Sequence, residues 1–248
     1  FVDKLFIVFP FEIPYFTKKG VDFVYKGNPL IDAIDNSDAF KETREEFLAK
    51  TGLPDKPMIA LLAGSRNGEI SSMMPIFMEF ADRLHALPEY SDYRFVVAAA
   101  PARSEADYAK YIGGREYVSV VFGQSYAVMR HAKAAVVNSG TASLECALVG
   151  TPQVVAYKGA EINFLIAKMI IKIQYISLGN LILDRICFRE LLQYYFTPDN
   201  VLYEVRRMIE DEEYRSAMLA GYQEIRDALG GEGASAAVAR AMIEELKK

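Results

Sequence analysis

The chain contains no tryptophan and only two cysteines and two histidines among its 248 residues. Cys146 and Cys187 are too few for a disulfide framework and read as buried apolar residues in a reducing compartment. His85 and His131 each fall near the end of an expected helix with no cysteine or carboxylate cluster beside them, which argues against a metal site. No uncharged apolar run reaches the roughly 18 residues needed to span a membrane. Basic residues are also in deficit. Lys and Arg total 28 against 33 Asp and Glu, a net charge of −5, so the chain lacks the basic footprint of a nucleic-acid binder. Neither a P-loop nor a Gly-x-Gly-x-x-Gly pattern occurs. Position 1 is Phe, not Met, so the chain is expected to be a processed product, a domain or a part of a longer protein. Phe9-Pro10-Phe11-Glu12 interrupts the first apolar run too early for a signal peptide.

What is present is an alternation of two periods. Short runs rich in β-branched and aromatic residues predict strands at Leu5–Phe9, Asp22–Lys26, Met58–Leu62, Phe95–Ala99, Tyr117–Phe122, Ala134–Val137 and Gln153–Tyr157. Helical stretches are expected between most of them, at Asp38–Lys50, Ser71–Ala86, Ser104–Ile112, Tyr126–His131 and Ala142–Val149. This order predicts an α/β fold with a mostly parallel, Rossmann-like sheet covered on both faces. After Tyr157 the pattern becomes helical. Helices are expected at Glu161–Ile173, 186–193, 198–228 and 234–247, with Gly230, Gly231 and Gly233 separating the last two, so the chain ends in a helical cap. Lys168, Lys172 and Glu161 form one stripe on Glu161–Ile173. That stripe fits a buried helix with one wet edge or a helix lying on a membrane surface. Gly27-Asn28-Pro29-Leu30 is a sharp break. Residues 1–26 are therefore expected to end an earlier domain, and residues 27–248 to form a domain of their own.

Three segments carry candidate chemistry. In Leu61-Leu62-Ala63-Gly64-Ser65-Arg66-Asn67-Gly68-Glu69 a buried strand runs through a glycine-bearing loop into a helix. Gly64 would admit a ligand to the backbone, Ser65 would donate a hydrogen bond, and Arg66 would meet a phosphate. An ordinary βα turn with a surface arginine would give the same residues. Val137-Asn138-Ser139-Gly140-Thr141-Ala142-Ser143-Leu144-Glu145 repeats the arrangement at a second helix start, where free N–H groups and the helix dipole favour anions. Glu145 follows Thr141 by one turn and suits a ribose diol, not a phosphate. Simple helix capping is the alternative. Ser177-Leu178-Gly179-Asn180 is expected to be a loop whose Asn180 amide could read a base or a sugar. Asp35, Asp38 and the Glu210–Glu213 run read as solvated helix ends.

Taken in order, Pro10-Phe11-Glu12, Gly27-Asn28-Pro29-Leu30, Gly64-Ser65-Arg66 with Glu69, Ser139-Gly140-Thr141-Ala142 with Glu145, and Ser177-x-x-Asn180 with Glu190-Leu191-Leu192-Gln193 resemble lipid-A-disaccharide synthases. The resemblance covers the whole chain. It implies a GT-B glycosyltransferase, in which two Rossmann-like domains face each other across a cleft and the C-terminal one binds the UDP-sugar donor. The reaction it implies joins UDP-2,3-diacylglucosamine to 2,3-diacylglucosamine 1-phosphate, giving the β-1,6 disaccharide of lipid A and UDP, with no metal and no cofactor. On this resemblance the donor site comprises Gly64, Ser65, Arg66, Glu69, Ser139, Gly140, Thr141, Glu145, Asn180 and Gln193. Arg66 would contact the phosphates, Ser139–Thr141 would cradle them and Glu145 would hold the ribose. The catalytic base would lie in an N-terminal half outside this chain, so the chain alone is expected to bind UDP and transfer no sugar. The implied location is cytoplasmic, with the acylated acceptor and the inner-membrane surface as partners and no nucleic acid. Ala63, Gly179 and Phe188 depart from the family pattern at backbone-shaping positions. Other UDP-sugar GT-B enzymes, such as a peptidoglycan transferase or a UDP-N-acetylglucosamine 2-epimerase, and a non-catalytic nucleotide-binding module remain as alternatives.

Overall fold

The computed structural model describes residues 4–159, 174–231 and 233–247. The segment Glu161–Ile173, with its two expected helix roles, lies outside them. The chain opens with β1 (Leu5–Ile7), α1 (Glu12–Lys19) and β2 (Phe23–Tyr25). β1 and β2 pair in parallel as a two-stranded sheet of their own. Gly27, in the left-handed region, then turns the chain into α2 (Leu30–Asp35). The Asn28 side chain ties this turn back to β1 by donating to the Val8 carbonyl at 3.1 Å.

The main body is a six-stranded parallel sheet. Its strands are β3 (Met58–Leu62), β4 (Arg94–Ala99), β5 (Val118–Phe122), β6 (Ala134–Asn138), β7 (Gln153–Tyr157) and β8 (Glu190–Leu192). In space the order is β5-β4-β3-β6-β7-β8. The helices are α3 (Arg44–Thr51), α4 (Asn67–His85), α5 (Glu105–Ile112), α6 (Ser125–His131), α7 (Thr141–Val149), α8 (Leu178–Leu183), α9 (Pro198–Glu210), α10 (Glu212–Leu229) and α11 (Ala234–Leu246).

Alternation along the strands explains why the runs are apolar throughout. Ile59, Leu61, Phe95, Val97, Ala134 and Val136 point into one buried cluster with residues of α4, α9 and α10. Their neighbours Met58, Ala60, Leu62, Val96, Ala98, Ala135 and Val137 point into a second cluster with residues of α3 and α6. Side chains of period two thus serve two cores, which keeps the central strands apolar on both faces; buried Gln153 on β7 is accommodated by donating to the Ser143 carbonyl.

Several expectations are corrected. Residues 186–193 are not a helix: Glu190–Leu192 pair with Val155–Tyr157 as the edge strand β8. Residues 198–228 are two helices, because Asp211 is extended and caps the second one by accepting from Tyr214 N. The charged helix over Asp38–Lys50 starts later, at Arg44. Thr43 and Glu46 form a reciprocal capping box there. Ser177–Asn180 is not a loop but the start of α8. Among the described residues, no helix is long and apolar enough to cross a membrane.

Candidate functional site

In an open parallel sheet, ligands bind beyond the carboxyl ends of the strands where the strand order reverses. Here that point lies between β3 and β6: β4 and β5 follow on one side, β7 and β8 on the other. The loops leaving β3 and β6 are the two segments singled out in the sequence. They line one open cavity of about 460 Å³, together with Ala98, Ala100 and Pro101 at the end of β4 and Ser125 at the start of α6.

The β3 loop is held by a carboxylate. Glu69 Oε2 accepts from Ser65 N at 2.8 Å and Arg66 N at 3.0 Å, and Oε1 accepts from the Arg66 guanidinium at 2.9 Å. Burial pushes the Glu69 carboxyl up. The Arg66 and Ser65 N–H groups and the guanidinium outweigh it and hold the carboxyl below the ordinary glutamate range. Gly64 makes room for this arrangement. A Cβ there would lie 2.4 Å from Glu69 Oε2 and 2.6 Å from Asn138 Nδ2, on a backbone with φ of +89°. The space expected to admit a ligand at Gly64 is filled from within by Glu69 and Asn138. Arg66 itself is exposed and faces the cavity.

The β6 loop is set by the sheet and by α7. Ser139 N donates to the Ala156 carbonyl at 2.8 Å, which fixes the loop against β7. Buried Ser143 donates from its hydroxyl to the Gly140 carbonyl at 2.8 Å. Gln153 in turn donates to the Ser143 carbonyl at 2.8 Å. This places Ser139, Gly140 and Thr141 at the N-terminus of α7, where the Ser143 N–H turns back to the Gly140 carbonyl at 3.2 Å and the N–H groups before it precede the intrahelical ladder. Glu145, one turn on, lines the same cavity and accepts from the Tyr126 hydroxyl at 3.2 Å. Burial raises the Glu145 carboxyl above its usual range, against that hydrogen bond. Burial and the Glu145 charge push the Tyr126 phenol up to about 12.

Eight of the ten expected residues therefore share this cleft: Gly64, Ser65, Arg66, Glu69, Ser139, Gly140, Thr141 and Glu145. Asn180 and Gln193 do not line it. Asn180 is fully buried in α8. Its Oδ1 accepts from Cys187 N at 2.8 Å and Phe188 N at 3.3 Å. Its Nδ2 donates to the Phe188 carbonyl at 3.0 Å and to Glu190 Oε1 at 2.9 Å. Glu190 also accepts from Ile176 N and Ser177 N, each at 3.0 Å. The Ser177 turn then approaches the cleft loop, with Ser139 Oγ 3.4 Å from the Ile176 carbonyl. Gln193 binds both polar groups of Gly159, accepting from its N at 2.9 Å and donating to its carbonyl at 3.2 Å. Both residues thus brace the chain behind the site.

Two of the family departures touch each other. The Phe188 ring lies over Gly179, where a Cβ would be 2.8 Å from two ring carbons. A large residue at one position is matched by the smallest at the other. Residues beyond the sequence expectation are Tyr126, the β4 end and Arg103. Arg103 donates from Nε to the Ser65 carbonyl at 2.7 Å and from Nη1 to Asn67 Oδ1 at 2.5 Å. The signal for the β4 end was topological, since β4 neighbours β3. Arg103 had none, sitting in a loop with no pattern. Among the described residues, no group of three or more His, Cys, Asp or Glu could hold a metal ion.

A family model described as lipid-A-disaccharide synthetase matches residues 1–242. A lipid-A-disaccharide synthase of Geobacter sulfurreducens is 32% identical over 249 residues, covering 100% of this chain. One of Myxococcus xanthus is 35% identical over 247 residues, covering 99%. The chain spans 63% of the length of each of these relatives. Among solved structures, the UDP-GlcNAc 2-epimerase of Neisseria meningitidis bound to UDP-GlcNAc superposes with a TM-score of 0.61. It is 17% identical, covering 92% of this chain and 58% of that one. WaaG, a glycosyltransferase involved in lipopolysaccharide biosynthesis, gives 0.52 at 17% identity, covering 90% and 58%. The α/β fold, a parallel sheet with flanking helices, is shared with these structural neighbours of GT-B type.

Proposed function

Because the chain belongs to the lipid-A-disaccharide synthetase family, we propose that its switch-point cleft binds the UDP-sugar donor of lipid A disaccharide synthesis. The observation that carries this reading is the convergence of Arg66, the Ser139–Thr141 helix start and Glu145 on one cavity. Each suits a different part of a nucleoside diphosphate. The guanidinium and the first N–H groups of α7 meet the two phosphates. The half-buried Glu145 carboxylate accepts from a ribose diol. In glycosyl transfer the diphosphate leaves with the bonding electrons, so negative charge grows on the oxygen that departs from the sugar. Fixed donors aimed at that oxygen stabilise the departing charge more than the ground state. In this reading Arg66 and the start of α7 take that role, and Asn180 and Gln193 brace the loops behind it.

The donor in this reading is UDP-2,3-diacylglucosamine and the acceptor is 2,3-diacylglucosamine 1-phosphate, whose acyl chains bring the protein to the inner-membrane surface. A general base must lie within hydrogen-bond reach of the acceptor hydroxyl. We assign that base to a segment of the relatives beyond this chain, so the 248-residue chain binds UDP and transfers no sugar. Neisseria 2-epimerase, a structural neighbour, is a UDP-sugar protein too, but at 17% identity the likeness speaks for the fold alone. The test is calorimetric titration with UDP, ADP and GDP, alongside mass spectrometry of donor and acceptor mixed with the chain. Saturable binding with UDP preferred and no disaccharide is expected. Equal affinity for the three nucleotides counts against the donor site, and disaccharide formation counts against the missing base.

A further inference from the structure

The β3 loop is gripped from two sides. Glu69 takes the N–H groups of Ser65 and Arg66. The opposite side of the same peptide, the Ser65 carbonyl, is taken by Arg103, which reaches across from the loop between β4 and α5. Its Nε donates to that oxygen at 2.7 Å, Nη2 donates to the same oxygen, and Nη1 donates to Asn67 Oδ1 at 2.5 Å. A planar guanidinium fork fixes direction as well as distance, which an ammonium does not. All three bonds go to Ser65 and Asn67, the residues on either side of Arg66.

We propose that Arg103 is a positioning residue for the phosphate-facing loop. By fixing the Ser65–Arg66 peptide it sets where the Arg66 guanidinium meets a diphosphate. The proposal rests on the reading of the cleft as a UDP-sugar site. Arg103 acts through Arg66 and its loop: all three of its bonds go to loop acceptors, and Arg66, not Arg103, lines the cleft. These bonds lie at the surface, so they add little to global stability. Loss of Arg103 therefore separates ligand affinity from folding.

The experiment compares the 248-residue chain with R103M, R103K, R66M and the R66M/R103M double variant. Each is titrated with UDP and with uridine, and each is melted. Amide hydrogen exchange at Ser65, Arg66 and Asn67 is followed without ligand. R103M is expected to weaken UDP binding roughly tenfold, to leave uridine binding within twofold, and to leave the melting temperature nearly unchanged. R103K recovers only part of the affinity. The double variant binds UDP no worse than R66M, since the effect travels through Arg66. The three loop amides exchange faster in R103M. Unchanged UDP affinity in R103M overturns the proposal. So does an additive double variant, which would place Arg103 directly on the ligand, and so does equal loss of uridine binding, which would make the effect a general one. If the unaltered chain fails to bind UDP, the cleft reading falls. The loop exchange rates then decide the positioning role by themselves, and unchanged rates overturn it.

Discussion

Replacing Gly64 by alanine puts the account of the β3 loop to its hardest test. Two separate costs follow from the geometry. Gly64 has φ of +89°, and a Cβ in the left-handed region costs about 1–2 kcal/mol. The new methyl would also sit 2.4 Å from Glu69 Oε2 and 2.9 Å from Glu69 Cβ, so the carboxylate must leave its place. Moving it breaks the bonds to Ser65 N and Arg66 N, a loss of the size of a helix cap, about 0.5–2 kcal/mol. G64A should therefore lose about 1.5–4 kcal/mol in urea unfolding, with an unchanged denaturant slope. For a chain of this size the melting temperature falls by about 2–4 °C for each kcal/mol. UDP affinity falls at least about tenfold, because Arg66 loses its hold. A double-mutant cycle with E69A isolates the part due to the Glu69 carboxylate. In the E69A background that carboxylate is gone, while Asn138 Nδ2 at 2.6 Å and the Cβ of residue 69 at 2.9 Å still crowd the new methyl, so G64A should cost less than in the parent but more than the backbone share of about 1–2 kcal/mol. Equal costs in both backgrounds would refute the claim that Glu69 fills the space at Gly64, and an unchanged G64A would refute the whole argument.

Other perturbations probe the surroundings. The Glu145 carboxyl is raised by burial, so its ionised form costs stability at neutral pH, and the cost vanishes below the unfolded glutamate range near about 4.3. E145Q should melt higher than the parent at pH 7.5 and level with it near pH 4, while binding UDP less tightly; a melting gain that persists at pH 4 would contradict the linkage. N180A removes four buried hydrogen bonds and should cost about 3 kcal/mol by urea titration. N180D should cost more, because it sets a second carboxylate against Glu190 at 2.9 Å. G179A should destabilise by about 1–3 kcal/mol through overpacking against Phe188 and Ile225. Adding F188A should relieve part of the Gly179 cost, and strict additivity of the two would show that the ring is not the obstacle.

The main sheet was legible because its strands are buried on both faces, so runs such as Met58–Leu62 and Ala134–Val137 stand out without reference to partners. The two cleft loops were legible for a related reason. A buried strand followed by small polar residues and a helix start is a local pattern, and topology then brings two such patterns together. β8 was not legible. Three residues are too few to show a period, and they are extended because β7 offers an edge for them. The break at Asp211 had a signal, Asp followed by two Glu, but that signal also fits a solvated helix end. Asn180 was misplaced because polar residues beside glycine usually mark loops. Its burial is decided by residues up to ten positions away, Cys187, Phe188 and Glu190.

Glu190, in β8, and Gln193, just past it, lie three residues apart at the sheet edge, and each holds a different stretch of the chain. Gln193 binds Gly159 through both of its polar groups, and Glu190 takes the N–H groups of Ile176 and Ser177. Gly159 and the Ile176–Ser177 turn are thus both tied to the outermost strand and the residue just past it. Ser139 Oγ in turn meets the Ile176 carbonyl at 3.4 Å. The sheet edge therefore acts as an anchor for a cleft loop two strands away, and a change at Glu190 would be felt at the start of α7 through the Ile176 turn.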